Sequence, residues 1–109
     1  MSEYLVCTTS DVLPGKVERF TVEDDALKRT QGGIAVVHAK NDAWYALEDR
    51  CSHGRFKMSE GIVEGDQIEC SRHGSLFDLS TGEALNPPAS SPVRVFPVRV
   101  AGDSVYVDV

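Results

Sequence analysis

Two short pairs of metal-ligating residues stand out in the chain: Cys51-Ser52-His53 and Cys70-Ser71-Arg72-His73, of the forms C-x-H and C-x-x-H. Sixteen residues separate His53 from Cys70. Each pair is followed by glycine, Gly54 and Gly74, and a residue without a side chain lets a loop turn where others would be obstructed. Two loop tips can then close on one metal centre from opposite sides. Two thiolates and two imidazoles can hold tetrahedral zinc, or they can divide between two irons of a 2Fe-2S cluster, with both Cys on one iron and both His on the other. The ligand types alone leave both open.

Other residues of the same chemical kinds have simpler readings. Cys7 is the third cysteine and follows Tyr4-Leu5-Val6 in a first strand, where a buried thiol is the usual outcome. His38 ends the apolar run Ile34 to Val37 and is read as structural. Trp44 and Tyr45, aromatic residues of a strand, are read as core. Phe56 and Met58 lie between the ligand pairs and are expected to pack beneath the loop or shield the centre from water.

The elements that must position the pairs are strands. Val17 to Val22, Ile34 to Val37, Trp44 to Leu47, Ile62 to Ile68 and the run Val93 to Val107 carry short β-branched or aromatic segments. Asn41-Asp42, Gly65-Asp66 and Gly102-Asp103 lie between strand-formers and mark hairpin ends. Pro97 lacks the ladder donor, which predicts an edge strand or a bulge there. A short helical turn is expected around Asp24 to Lys28. From Asp49 to Pro88 turn formers dominate, as in loops carried on a small three- or four-stranded sheet. The whole predicts an antiparallel β domain.

Length and composition narrow the class. The 109 residues suit one compact domain, and 41% hydrophobic residues with five prolines place the chain among globular proteins. An odd cysteine count argues against a secreted disulfide scaffold. The opening MSEYLVCTTSDV has no basic leader, and no stretch approaches the roughly 20 apolar residues of a membrane span, so a cytoplasmic protein without a membrane partner is expected. Seventeen acidic residues against eleven basic ones give a net charge of -6, which speaks against nucleic acid and fits a monomeric carrier steered by charge.

The wider pattern arbitrates between zinc and iron. After C-x-H-x16-C-x-x-H come Gly74-x-x-Phe77-Asp78, then Thr81-Gly82 and Pro87-Pro88-Ala89, while Ser59-Glu60-Gly61 follows the first pair. This combination resembles the Rieske family over most of residues 30 to 109, and Leu13-Pro14-Gly15 before a strand resembles the opening of Rieske ferredoxins. The resemblance implies an all-β Rieske fold, an antiparallel β sandwich with a small cluster-binding β subdomain inserted at about residues 46–88 of a single domain over 1–109. It implies one 2Fe-2S cluster, with Cys51 and Cys70 in the thiolate roles and His53 and His73 on the outer iron through Nδ1. Pro87 and Pro88 would form a third loop over it. A zinc-stabilised binding module gives no reason for the sixteen-residue separation or the Gly-x-x-Phe-Asp tail.

The subclass follows from departures within the resemblance. Respiratory Rieske proteins carry one extra cysteine per loop, which pair as a disulfide, and hang on a membrane helix; here Gly54, Arg55 and Phe56 follow the first histidine and Arg72 stands in the second loop. Where they place a tyrosine hydroxyl near a cysteine sulfur this chain has Phe77, and Ser75 matches the serine that bonds a bridging sulfide. The lost donor places the potential toward the bottom of the Rieske range, which spans about -150 to +300 mV. Rieske oxygenases add a mononuclear iron held by two histidines and a carboxylate, and only His38 is left to supply one.

The resemblance therefore implies an electron carrier, not a catalyst. It would pass electrons from a flavoprotein reductase to a terminal oxygenase of an aromatic-ring hydroxylating system. The alternative is a small Rieske-like subunit of a nitrite reductase, which retention of all four ligands weakens. Arg55, Lys57 and Arg72 would form a cationic rim at the histidine edge, with Asp24, Asp25, Glu64 and Asp66 elsewhere. Purified protein should show visible absorption and, once reduced, an EPR signal, both unaffected by Cys7→Ser. A colourless, EPR-silent metal-loaded protein would instead mean zinc, and bleaching by Cys7→Ser would mean a wrong ligand set.

Overall fold

A computed structural model describes residues 2–52, 56–71, 74–87, 89 and 91–109. Its strands are β1 (Glu3–Thr8), β2 (Lys16–Thr21), β3 (Gly33–His38), β4 (Trp44–Glu48), β5 (Ile62–Glu64), β6 (Gln67–Glu69), β7 (Leu76–Asp78), β8 (Val95–Phe96), β9 (Val98–Ala101) and β10 (Ser104–Asp108). They form three antiparallel sheets in the orders β1-β10-β9, β2-β3-β4-β8 and β5-β6-β7. The chain leaves the four-stranded sheet after Glu48, builds the small sheet, and returns at Val95. This is the all-β architecture expected from the strand spacing.

Alternation along β3 explains how three sheets share one support. All six of its residues are buried. Ile34 and Val36 join one core with Cys7, Val105 and Val107 of the first sheet, and Ala35 and Val37 join a second core with Met58, Ile68, Phe77 and Leu79. Successive strand side chains point to opposite faces, so an unbroken apolar run lines both. In β4, Ala46 and Leu47 divide in the same way. Full burial of each Val, Leu, Ile or Phe contributes about 1.5–3 kcal/mol, and the small sheet therefore depends on the far face of β3 for its own core.

The three turn pairs fall where hairpins turn. Gly65-Asp66 joins β5 to β6, with Glu64 opposite Gln67, and Gly102-Asp103 joins β9 to β10, with Ala101 opposite Ser104. Asn41-Asp42 lies between β3 and β4, Asp42 at φ 72°. The expected turn near Asp24 is a 3-10 helix at Asp25–Thr30, capped by Asp24 accepting from the Ala26 amide at 2.8 Å. Pro97 lies, as expected, at a sheet edge, and more than that it joins two edge strands, β8 of the four-stranded sheet and β9 of the first sheet, so the chain changes sheets there. A residue that cannot donate to a ladder is cheapest where both ladders end, and its carbonyl still accepts from Asp108 at 3.0 Å.

His38 is structural, as expected. It is buried, stacks on Trp44 with ring centroids 4.0 Å apart, and its ring nitrogens meet the Val12 carbonyl at 2.9 Å and Asp42 Oδ1 at 2.6 Å. Trp44 and Tyr45 are half-buried, one against each core, and not fully enclosed. Cys7 is a free, buried thiol whose pKa burial pushes from 9.0 up to about 11, with Asp11 adding to the rise. Between those values the unfolded chain has lost a proton that the fold still holds. Stability should therefore fall as pH rises from about 9 toward about 11, and Cys7→Ala should flatten that decline relative to the parent in denaturant titrations; equal slopes would contradict the burial of this thiol.

Candidate metal centre

The first ligand loop rises from β4 through Asp49 and comes down into a 3-10 helix at Met58–Glu60, and the second lies between β6 and β7. Their stems are built alike. The Cys51 amide donates to the Phe56 carbonyl at 2.7 Å, and the Cys70 amide donates to the Ser75 carbonyl at 2.7 Å. In each case the cysteine bonds the residue five positions on, so both loops start and close with the same reach. Gly74, just before the second closing residue, has φ +70°, the left-handed conformation that glycine adopts without strain.

Both cysteines are buried, form no disulfide, and belong to the single core between the small sheet and β3. Met58 is fully enclosed and Phe56 packs half-buried against the same core, the packing expected of them. The side chain of Ser52, next to Cys51, buries its hydroxyl oxygen with no hydrogen-bond partner among the described residues. A buried hydroxyl left without an acceptor is costly. Two buried thiols, and beside one of them a hydroxyl without a partner among the described residues, suit a sulfur-rich centre. His53 and His73 lie outside the described residues, as do Gly54, Arg55, Arg72 and Pro88. Among the described residues no three His, Cys, Asp or Glu gather as a metal site, so the fit to a cluster rests on the two thiols and their neighbour.

Several parts of the extended pattern turn out to be braces. Asn86, immediately before the prolines, accepts the Leu76 amide at 2.6 Å and donates to the Gly74 carbonyl at 3.2 Å, tying the third loop to the second. Ser75 is fully buried and its hydroxyl oxygen accepts from the Ala89 amide at 3.2 Å, which leaves its own proton free to donate elsewhere. Asp78 accepts from the Ser80 amide and hydroxyl and from the Thr81 amide, and the Ser80 hydroxyl holds its carboxyl below the usual range. At Gly82, with φ +79°, a Cβ would lie 2.1 Å from the Val93 carbonyl oxygen, so only glycine fits. Phe77 is fully buried in the second core.

The stem of the first loop has its own brace, which no local signal in the chain foretells. Asp49 is buried and accepts from both the amide and the hydroxyl of Ser59, at 2.7 Å each, so one carboxylate closes the loop across ten residues. Of the cationic rim, Lys57 is exposed, whereas Arg55 and Arg72 lie outside the described residues. Of the acids placed elsewhere, Asp24 is engaged by the Tyr4 hydroxyl at 2.6 Å, a bond that holds its carboxyl low, and Glu64 and Asp66 are exposed at the β5–β6 hairpin.

Comparison with known proteins agrees with this construction. The family model for the Rieske [2Fe-2S] domain matches residues 2–97. The chain is 38% identical to ferredoxin CarAc of Metapseudomonas resinovorans over 94% of its own length and 89% of that protein's. It is 36% identical to the ferredoxin component of the p-cumate 2,3-dioxygenase system of Pseudomonas putida, over 95% and 83%. A chain in the solved complex of reduced oxygenase and oxidized ferredoxin in carbazole 1,9a-dioxygenase superposes with a TM-score of 0.81 at 38% identity, covering 96% of this chain and 91% of that one. Two buried cysteines on matched loop stems over one core, within a family match spanning residues 2–97, identify the protein as a member of the Rieske [2Fe-2S] domain family that carries one Rieske-type 2Fe-2S cluster.

Proposed function

We propose that this chain is the ferredoxin component of a multicomponent dioxygenase system, with Cys51, His53, Cys70 and His73 as the ligands of its cluster. It takes electrons from a flavoprotein reductase and passes them to a terminal oxygenase. The observation that carries this reading is the matched pair of Cys51 and Cys70, each bonded to the carbonyl five residues on and both buried in one core. It is supported by relatives that are ferredoxin components of p-cumate and biphenyl dioxygenases, and by a solved complex of oxygenase and ferredoxin in carbazole 1,9a-dioxygenase.

When bound, the cluster supplies a centre that accepts and returns one electron. The protein's residues do the rest. Met58, Ile68, Phe77 and Leu79 are buried on the cysteine side, so the exit for an electron is the histidine side. No described helix is long and apolar enough to cross a membrane. Cytoplasmic, monomeric operation, as one domain whose cluster-binding part covers about residues 46–88, belongs to the same proposal. A nitrite reductase subunit is the weaker reading, because two relatives at 36% identity are ferredoxins of dioxygenases.

Two tests apply. His53→Ala and His73→Ala should each abolish the Rieske EPR signal, since each iron needs all its ligands; an unchanged spectrum in either would refute the ligand set. Reversing Arg55, Lys57 and Arg72 to glutamate should slow electron transfer to the oxygenase at low ionic strength, with the gap closing toward 1 M salt, where screening shortens to about 3 Å. Equal rates at low salt, with the cluster intact, would place the docking surface on another face.

A further inference from the structure

The carboxylate that closes the first ligand loop is itself held from outside the loop. Arg19 of β2 donates Nη1 to Asp49 Oδ2 at 2.7 Å and Nη2 to the Thr30 carbonyl at 3.0 Å. Thr30 is fixed in turn, its hydroxyl lying 2.8 Å from the Gly33 carbonyl and 3.1 Å from that of Leu27. The Asp49 side chain is fully buried and that of Arg19 is 26% exposed. Gly33 makes the seat: a Cβ there would lie 2.2 Å from Arg19 Nη1, so the guanidinium occupies the place a side chain would take at the start of β3. Arg19, Asp49 and Ser59, separated widely in the chain, thus form one latch between the four-stranded sheet and both ends of the first loop.

The second loop is anchored differently. Its side-chain braces, Asn86 to Gly74 and Leu76 and Ser75 to Ala89, run to the third loop and stay within the cluster-binding part. One ligand pair is therefore fixed to β2 and the other to its own subdomain. Anything bridging the two pairs inherits its geometry from both anchors. A buried carboxylate stripped of its arginine leaves an uncompensated charge, which keeps such a latch shut, and support behind a ligand loop is what holds a ligand in its productive geometry.

We propose that Arg19 and Asp49 are positioning residues for the cluster: the latch sets where Cys51 stands relative to Cys70, and thereby the electronic structure and retention of the bound centre. This rests on Cys51 and Cys70 being ligands. Its test uses cluster-loaded protein carrying Arg19→Met, Arg19→Lys or Ser59→Ala, with Val107→Ala, in the opposite core, as a variant that only destabilises. EPR of the reduced form, the rate of cluster loss to a chelator, and the melting temperature are read together.

Arg19→Met should shift or broaden the g-values and lose its cluster at least tenfold faster, Arg19→Lys should restore part of both, and Val107→Ala should melt lower with parental g-values. Ser59→Ala, which removes one of the bonds to Asp49, should move the same readouts less, and carries the test if Arg19→Met retains no cluster. An Arg19→Met or Ser59→Ala protein that melts lower but keeps the parental g-values, and loses its cluster no faster than Val107→Ala, would overturn the proposal. Failure of the parent itself to show a Rieske signal would refute the ligand assignment, an outcome distinct from parental g-values in the variants.

Discussion

A centre bridging two loops can be no better placed than the support the loops share, and here that support is β3. Its six buried residues present Ile34 and Val36 to one sheet and Ala35 and Val37 to the other. The sandwich core and the core beneath the cysteines are thus two faces of one strand. A small sheet of three-residue strands has too little apolar surface to stand alone in water. Packed on β3 it gains a dry floor, and Cys51 and Cys70 are part of that floor.

On this floor the loops are held by polar bonds between fixed partners. Matched amide-to-carbonyl closures shape the stems, Asn86 and Ser75 lock the second and third loops together, and Asp49 clasps the first loop to the sheet. Each is worth only about 1 kcal/mol in net stability, yet leaving a buried partner unsatisfied costs about 1–3 kcal/mol. Such bonds specify one loop geometry more than they add to the free energy of folding. That is what rapid one-electron exchange asks of a protein: little rearrangement around the centre as its charge changes.

Much of this architecture is legible in the amino-acid sequence. The proposed ligand pairs are singled out by type and spacing, of which the structure places Cys51 and Cys70 in one core, and the hairpins at Gly65-Asp66 and Gly102-Asp103 fall where local turn chemistry places them. The apolar run in β3 marks a buried strand. What escapes a sequence reading is whatever depends on distant residues meeting. Nothing local marks Arg19 and Asp49 as partners thirty residues apart, and nothing local shows that Gly33 leaves room for the guanidinium. Asn86 reads as a turn former before two prolines, although its role is to bridge loops. Pro97 is recognisable as a ladder breaker, but that the break is a passage between sheets follows only from how the sheets stack.

The central claim is that two loops, one cysteine and one histidine from each, share a single 2Fe-2S centre. Pulsed EPR of the reduced protein tests it most directly, because nitrogens bound to iron couple strongly to the unpaired electron. Two distinct strong nitrogen couplings, both removed from the spectrum when the histidines are isotopically replaced with nitrogen-15 and reappearing with the nitrogen-15 pattern, are the expected result. A 2Fe-2S spectrum with no strong nitrogen coupling would mean that ligands other than the two histidines complete the cluster, and would contradict the account.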